Sequence, residues 1–311
     1  MERDCDVAEE VARFVGYNKM PSTAIRGVAS ARPTERQTFH ETLMNALVGE
    51  RLSIITSKAQ TTRHRILGIV NGDDFQIVFS DTPGILKPCY KLQESMMNFV
   101  RGALSDADVL LYVTDTVERD DERAAEIIDR IRQSGVPTLV VVNKIDLSTQ
   151  EALEALVEKG RATLPDAEII PISAREGFNI AGLFDRILAL LPEGEPFYPK
   201  DTLTDKTLRF FASEIIREKI LRNYDKEIPY SCEIEIEEYR EEPGIDRISA
   251  VIYVARNSQK GILIGHKGEK LKKVGRQARE ELEEFLRKKV FLQLFVKVSE
   301  DWRNDQRQLR R

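Results

Sequence analysis

The sequence predicts a two-domain α/β protein, in which a doubly wound, mostly parallel sheet is followed by a smaller α+β unit. Three observations carry that expectation. Short aliphatic runs alternate with helical periodicity from about residue 65 to residue 191. A stretch rich in Pro, Gly and Glu, Leu191-Pro192-Glu193-Gly194-Glu195-Pro196, then breaks the rhythm. Beyond it the elements read α-β-β-α-α-β. Domain limits follow: an atypical, unassigned segment over 1–41, a first domain over 42–195, a linker over 196–206 and a second domain over 207–311.

In the first domain the strand candidates are Arg65–Val70, Phe75–Ser80, Val109–Thr114, Thr138–Val142 and Ile169–Ile172, all short and aliphatic or β-branched. Three are nearly pure aliphatic runs, as expected of strands covered on both faces. Asn71-Gly72-Asp73-Asp74 is a turn signal that makes the first two an antiparallel hairpin. Helical patterns fall at Leu92–Leu104, Asp121–Gln133, Gln150–Thr163 and Ile180–Leu191. In the second domain Thr207–Tyr224 reads as an amphipathic helix. Two alternating strands follow, around Cys232–Ile236 and Ile248–Val254. Helices at Gln259–Ile264 and Glu269–Arg287 flank a glycine turn, and a strand over Val290–Val298 ends the unit. Residues 1–41 show no sustained periodicity, and Ser22–Gln37 mixes Pro, Gly, Arg and Thr without clear strand or helix character.

Composition narrows the class. The 311 residues are 41% hydrophobic and 32% charged, which excludes disorder, collagen-like repeats and a disulfide scaffold. No apolar run reaches the ~18 residues of a membrane span, and the acidic start lacks the apolar core of a signal peptide. Cys5, Cys89 and Cys232 form no C-x-x-C pair, which suits a reducing cytoplasm and argues against zinc. The net charge of -5 is uneven: Arg256–Arg311 holds 16 Lys and Arg against 8 Asp and Glu, or +8, and leaves -13 on the rest. A basic C-terminal segment on an acidic body points to a nucleic-acid or membrane-surface face, with a set of solvated helices as the plainer alternative.

Three loops carry the chemistry of the first domain. Asp81-Thr82-Pro83-Gly84 follows a strand at the rim where α/β sheets bind ligands. There Asp81 can hold Mg²⁺ through water, and Gly84 can offer its N–H to a terminal phosphate. Asn143-Lys144-Ile145-Asp146 follows the next-but-one strand. Asp146 can accept two hydrogen bonds from guanine, Lys144 can lay its stem along the base, and Asn143 can tie the loop to its neighbours. Ser173-Ala174 follows the last strand and can bring a backbone amide to the guanine oxygen. Upstream, Lys58-Ala59-Gln60-Thr61-Thr62-Arg63 offers a hydroxyl, from Thr61 or Thr62, to a nucleotide-sensitive switch.

The second domain carries Ile264-Gly265-His266-Lys267-Gly268 between two predicted helices, with Lys270, Lys272 and Lys273 close by. Two glycines let a single-stranded nucleic-acid backbone approach, and the lysines attract its phosphates.

From about Thr42 to Arg311 the chain resembles the Era family of GTPases. The segments K-A-Q-T-T-R-H-R, D-T-P-G, N-K-I-D and I-S-A stand in that family's order, and Ser213–Lys219 is similar to its entry into a KH domain. The resemblance implies a P-loop NTPase-type GTPase domain followed by a type II KH domain. It implies GTP or GDP with Mg²⁺ as cofactors, a guanine-nucleotide site at Asp81, Thr82, Pro83, Gly84, Asn143, Lys144, Asp146, Ser173 and Ala174, and Mg²⁺ ligands at Thr62 and Asp81. RNA contacts are implied at Ile264, Gly265, His266, Lys267, Gly268, Lys270 and Lys273. The partners it implies are the 3′ end of small-subunit ribosomal RNA and the small ribosomal subunit, whose maturation a cytoplasmic, monomeric switch would assist. Peripheral association with the inner face of the cell membrane belongs to the same expectation. Ile85 stands where many GTPases place a water-orienting glutamine, in keeping with this family and with slow hydrolysis.

One part of the pattern is missing. A P-loop needs G-x-x-x-x-G-K-[ST], yet no Gly-Lys-Ser or Gly-Lys-Thr occurs anywhere in the chain. Ahead of Thr42–Leu47, where the family places it, stands Glu35-Arg36-Gln37-Thr38-Phe39-His40-Glu41. The nearest echo, Gly16–Thr23, lacks the second glycine. The match ends abruptly, as an out-of-frame stretch would end it. Two readings follow: a GTP-hydrolysing switch, or an RNA-binding assembly factor without GTP turnover.

Overall fold

The computed structural model describes residues 43–49, 52, 61–86, 88–116, 125–300 and 302, together with the backbone course of 9–16. Expectations placed on Thr42, on Lys58–Gln60, on the Gly16–Thr23 echo beyond its first residue and on the basic tail over 303–311 lie outside them. The chain divides into two compact units, one of Met1–Cys89 with Gln93–Asp205 and the other of Lys206–Arg311 with Tyr90–Leu92.

The first unit is built on a six-stranded sheet. Its strands are β1 (Glu9–Gly16), β2 (Ile66–Asn71), β3 (Phe75–Asp81), β4 (Val109–Asp115), β5 (Thr138–Asn143) and β6 (Glu168–Pro171), in the order β2-β3-β1-β4-β5-β6. Helices α1 (Leu43–Val48), α2 (Lys91–Asp106), α3 (Ala125–Ser134), α4 (Gln150–Thr163) and α5 (Ile180–Ala189) lie between and after them. β4, β5 and β6 are parallel, and β2 with β3 forms the expected hairpin, closed by Gly72 N–H donating to the Phe75 carbonyl (2.9 Å). The aliphatic runs are central strands: Ile77 and Phe79 face one way, Val78 the other, and all are buried, as are Val109 to Val113 and Leu139 to Val142. Burying both faces is what removes the polar alternation from these sequences.

The structure adds an element within residues 1–41, which the sequence leaves unassigned. Glu9–Gly16 is a strand, set between β3 and β4 and antiparallel to both, with Glu10 opposite Asp81 and Leu111 and Gly16 opposite Phe75. Because β1 opposes both neighbours, β3 and β4 run parallel to each other. The physical reason for the strand is the run Val11-Ala12-Arg13-Phe14-Val15, in which Val11, Phe14 and Val15 are β-prone and whose backbone pairs with a strand edge on either side. Its period was hidden by being short.

The segment expected to be a linker is hydrogen-bonded along β2. Ile69 N–H donates to the Leu203 carbonyl (2.8 Å), Leu67 N–H to Asp205 Oδ1 (3.1 Å), and Asn71 Nδ2 to the Thr202 carbonyl (3.3 Å). Gln76, only 1% exposed, clamps the start of it. Its Oε1 accepts from Phe197 N–H (2.9 Å) and Tyr198 N–H (3.0 Å), while its Nε2 donates to the Tyr198 carbonyl (2.8 Å).

The second unit packs α6 (Leu208–Asn223), α7 (Asn257–Ile264) and α8 (Glu269–Leu286) on a three-stranded sheet of order β7-β8-β9, with β7 at Cys232–Glu242, β8 at Ile245–Val254 and β9 at Lys289–Val298. β8 pairs antiparallel with β7 and parallel with β9. Ile216, Ile220, Ile248, Ala250, Ile252, Leu263, Val274, Ala278 and Leu282 form its core. α6 departs from the expected amphipathic helix, since its charged face is buried as well. Glu214, Arg217, Glu218 and Lys219 all lie within the protein, and they pair with one another and with nearby charges: Arg217 with Glu214 (2.5 Å), Arg222 with Glu218 (2.7 Å) and Lys219 with Glu281. Buried charge persists only when paired in this way. Among the described residues no helix is long and apolar enough to cross a membrane.

Candidate nucleotide and nucleic-acid sites

The carboxyl ends of β3, β4 and β5 fall at one edge of the sheet, because these strands share a direction. That edge is where open α/β sheets hold ligands. It gathers Asp81–Gly84, Asp115-Thr116 and Asn143–Asp146, and the segment after β6 adds Ser173-Ala174.

The last of these loops are tied together by side chains. Asn143 Oδ1 accepts from Lys144 N–H (2.8 Å) and from Ala174 N–H (3.0 Å), so one amide oxygen fixes the ends of both loops. Ser173, itself buried, donates its hydroxyl to Asp146 Oδ1 (2.6 Å). Asp146 lies in a single 3₁₀ turn, Ile145–Leu147, entered through Lys144 in the left-handed region (φ 60). Lys144 Nζ meets Asp115 Oδ2 at 2.5 Å, and Thr116 Oγ1 donates to the Lys144 carbonyl (3.1 Å). The Asp146 carboxylate is thus held at one oxygen and exposed to solvent, an acceptor pair suited to the two adjacent N–H donors of guanine. Asp115 and Thr116 escaped the sequence reading, although their position at the carboxyl end of a strand is itself a signal.

On the phosphate side, Asp81 and Thr82 are buried and Gly84 half-buried. Thr62 Oγ1 lies 3.5 Å from Asp81 Oδ2, so the two expected Mg²⁺ ligands do come together. Thr61, beside Thr62, is half-buried. Two protein oxygens are a normal share for Mg²⁺, which takes the remainder from water and substrate phosphates. Among the described residues no group of three or more His, Cys, Asp or Glu could hold a metal by itself. The residues therefore fit a guanine base. They do not include the Gly-Lys-Ser/Thr of a P-loop, which the sequence lacks, and β1 runs from the ligand edge to the far edge of the sheet at Gly16.

In the second unit α7 ends at Ile264, and Gly265 N–H closes it by donating to the Gly261 carbonyl (2.9 Å). A 3₁₀ turn, His266–Gly268, leads into α8. Gly265 adopts φ 71, ψ -178, a region open essentially to glycine alone, and Gly268 adopts φ 80. A Cβ at Gly268 would meet nothing within 4 Å, so the loop presents bare backbone to an approaching strand. His266, Lys267, Lys270, Lys272 and Lys273 are all exposed around it, and Ile264 is half-buried beside it. Tyr224, not singled out in the sequence, supports the loop from beneath: its hydroxyl donates to the Leu263 carbonyl (2.6 Å), and Lys270 Nζ lies 5.9 Å from the centre of its ring. Burial pushes the Tyr224 phenol up to about 12.

Comparison with known proteins finds relatives of both units. Residues 42–144 match the family described as 50S ribosome-binding GTPase, and residues 227–303 match the KH domain family. GTPase Era of Alkaliphilus metalliredigens is 42% identical over 271 residues, covering 86% of this chain and 92% of its own. GTPase Era of Syntrophus aciditrophicus is 44% identical over 271 residues, with coverages of 86% and 89%. Among solved structures, Era in complex with MgGDPNP and nucleotides 1506–1542 of 16S ribosomal RNA superimposes with a TM-score of 0.82 at 40% identity, covering 88% of this chain and 93% of that one. A point variant of Aquifex aeolicus Era bound to GDP·AlF4⁻ gives the same TM-score of 0.82 at 39% identity, with the same coverages. With guanine-side loops and a glycine-turn unit in this order, and relatives this similar over nearly their whole length, the chain belongs to the Era family of GTPases.

Proposed function

We propose that this chain is a guanine-nucleotide-binding, RNA-binding factor of small ribosomal subunit assembly, acting in the cytoplasm. Its second unit holds the 3′ end of 16S ribosomal RNA. Peripheral contact with the inner face of the cell membrane would fall to the basic C-terminal segment. The observation that carries the reading is the Gly265–Gly268 turn, whose backbone conformation and open face suit a single strand and whose surroundings are lysines. In the first unit Asp146 would accept the guanine N–H groups, Lys144 would cover the base and Asn143 would hold the two loops in register. Thr62 and Asp81 would face Mg²⁺. GTP binding and hydrolysis are the family's activity; the Gly-Lys-Ser/Thr motif that holds the phosphates in P-loop proteins is not in this sequence, whereas every residue expected to bind RNA is present.

The test is replacement of His266 and Lys267 together by aspartate. Both side chains are exposed, so the core is untouched. Affinity for a single-stranded 16S 3′-end RNA, followed by fluorescence anisotropy, should collapse, and the parent chain should lose affinity with salt at a log–log slope of about -0.7 per phosphate contacted. Unchanged affinity in the double variant would remove this loop as the RNA site.

A further inference from the structure

We propose that Tyr224 is a positioning residue for RNA binding: from within the second unit it anchors the Gly265–Gly268 turn through the Leu263 carbonyl and presets Lys270 as a phosphate contact. The proposal rests on the RNA reading of that turn and adds to it a buried residue, outside the motif, that sets the affinity.

Tyr224 closes α6 and is only 4% exposed, so its ring is a fixed part of the core. Its hydroxyl reaches across to α7, where it donates to the Leu263 carbonyl at 2.6 Å. The last four carbonyls of a helix have no partner within it, and Leu263 supplies one of them. One phenol thereby pins the end of α7 just ahead of Gly265. Glycine is the residue with the most backbone freedom to lose, so a turn built on two of them needs an anchored entry. Fixing that entry before RNA arrives lowers the ordering cost of binding.

Lys270 is set by the same residue. Its Nζ lies 5.9 Å from the centre of the Tyr224 ring, within the range of cation–π attraction. Its stem runs against Gly265, where a Cβ would stand 2.9 Å from Lys270 Cβ, 2.8 Å from Cγ and 3.2 Å from Cδ. Gly265 is therefore required on two counts, for its backbone angles and for the room its missing side chain leaves to the lysine. Lys270 also lies in the first turn of α8, where the helix dipole opposes a positive charge. A cation kept there against the dipole, over an aromatic face and beside the turn, is suited to an incoming phosphate. Held in this way, it gives up less side-chain freedom on meeting one than a lysine fixed by its backbone alone.

The experiment measures binding of a single-stranded 16S 3′-end RNA to the full-length chain by fluorescence anisotropy. The variants are Tyr224→Phe, Tyr224→Met and Lys270→Gln, with Lys270→Gln also combined with each Tyr224 change. Fluorescence of the buried Trp302 checks that each is folded. Tyr224→Phe keeps the ring and loses the hydroxyl. Its affinity should fall by about two- to tenfold, and Lys270→Gln should cost as much in it as in the parent. Tyr224→Met fills the site without a ring. In that background Lys270→Gln should cost about threefold or less, against about tenfold in the parent, the scale of a charge-assisted contact. A purely structural role for Tyr224 would leave the two costs equal, because independent effects add. Unchanged affinity in Tyr224→Phe, or equal Lys270→Gln costs with and without the ring, would overturn the proposal. Where Tyr224→Met does not fold, the affinity of Tyr224→Phe, which preserves the shape of the core, decides alone. Those failures leave the RNA reading intact so long as Lys270→Gln or the His266→Asp, Lys267→Asp pair weakens binding; if neither does, that reading fails as well.

Discussion

Replacing Gln76 by alanine should unfasten the first half of the segment that runs along β2. Gln76 is buried, and its amide makes four hydrogen bonds: two accepted from Phe197 and Tyr198 N–H, one donated to the Tyr198 carbonyl and one donated to Asn71 Oδ1 (2.8 Å). At a net ~0.5–1.5 kcal/mol each, and with water able to replace some of them around the exposed Phe197, the loss is about 2–4 kcal/mol of local stability. That corresponds to amide exchange roughly 30- to 1,000-fold faster at Phe197 and Tyr198. The second half should hold, because Ile69 N–H still donates to the Leu203 carbonyl and Leu67 N–H to Asp205. Hydrogen exchange of the full-length chain reads both halves at once, with β5 as an internal standard. A graded loss, large at residues 197 and 198 and small at residue 69, is the expected result. Unchanged protection at Phe197 and Tyr198, or equal loss at Ile69, would refute the assignment of Gln76 as the clamp.

Two further predictions use Trp302, the only tryptophan in the sequence, which is buried in the second unit with its indole N–H donating to the Ser231 carbonyl (3.3 Å), so its fluorescence reports that unit within the intact chain. Gly265→Ala should destabilise the unit by about 1–3 kcal/mol against ~1 kcal/mol for Gly268→Ala, and so lower the urea midpoint further, because Gly265 occupies the glycine-only region and Gly268 the milder left-handed one; equal midpoints would refute the difference in strain. Stability should also fall as pH rises from about 10 to about 12, since the Tyr224 phenol is raised in the folded state and ionises first in the unfolded chain. Tyr224→Phe should flatten that decline and cost ~1 kcal/mol at neutral pH through the hydrogen bond lost at the Leu263 carbonyl; an alkaline decline as steep in the variant as in the parent would assign the effect to other groups.

The sequence by itself determined the parts whose signal is local. Aliphatic runs such as Thr138–Val142 can be stable only where both faces are covered, so they predict a central strand, and the polar loop that follows then lies at the ligand edge. The glycines at 265 and 268 show their purpose in the same way, because few other residues adopt the backbone angles found there. What only the tertiary structure decided depends on partners distant in the chain. Arg217, Glu218 and Lys219 spell a solvated helix face in one dimension, yet they are buried because counter-charges, among them Glu281 more than sixty residues away, make burial tolerable. Gln76 reads as an ordinary polar residue in a strand until residues 197 and 198 arrive to satisfy its amide. The direction of β1 was equally beyond local reading, since Val11 to Val15 would suit either sense and the choice is made by the edges of β3 and β4 that receive it. That choice sets the start of β1, not its end, at the edge of the sheet where the loops after β3, β4 and β5 gather.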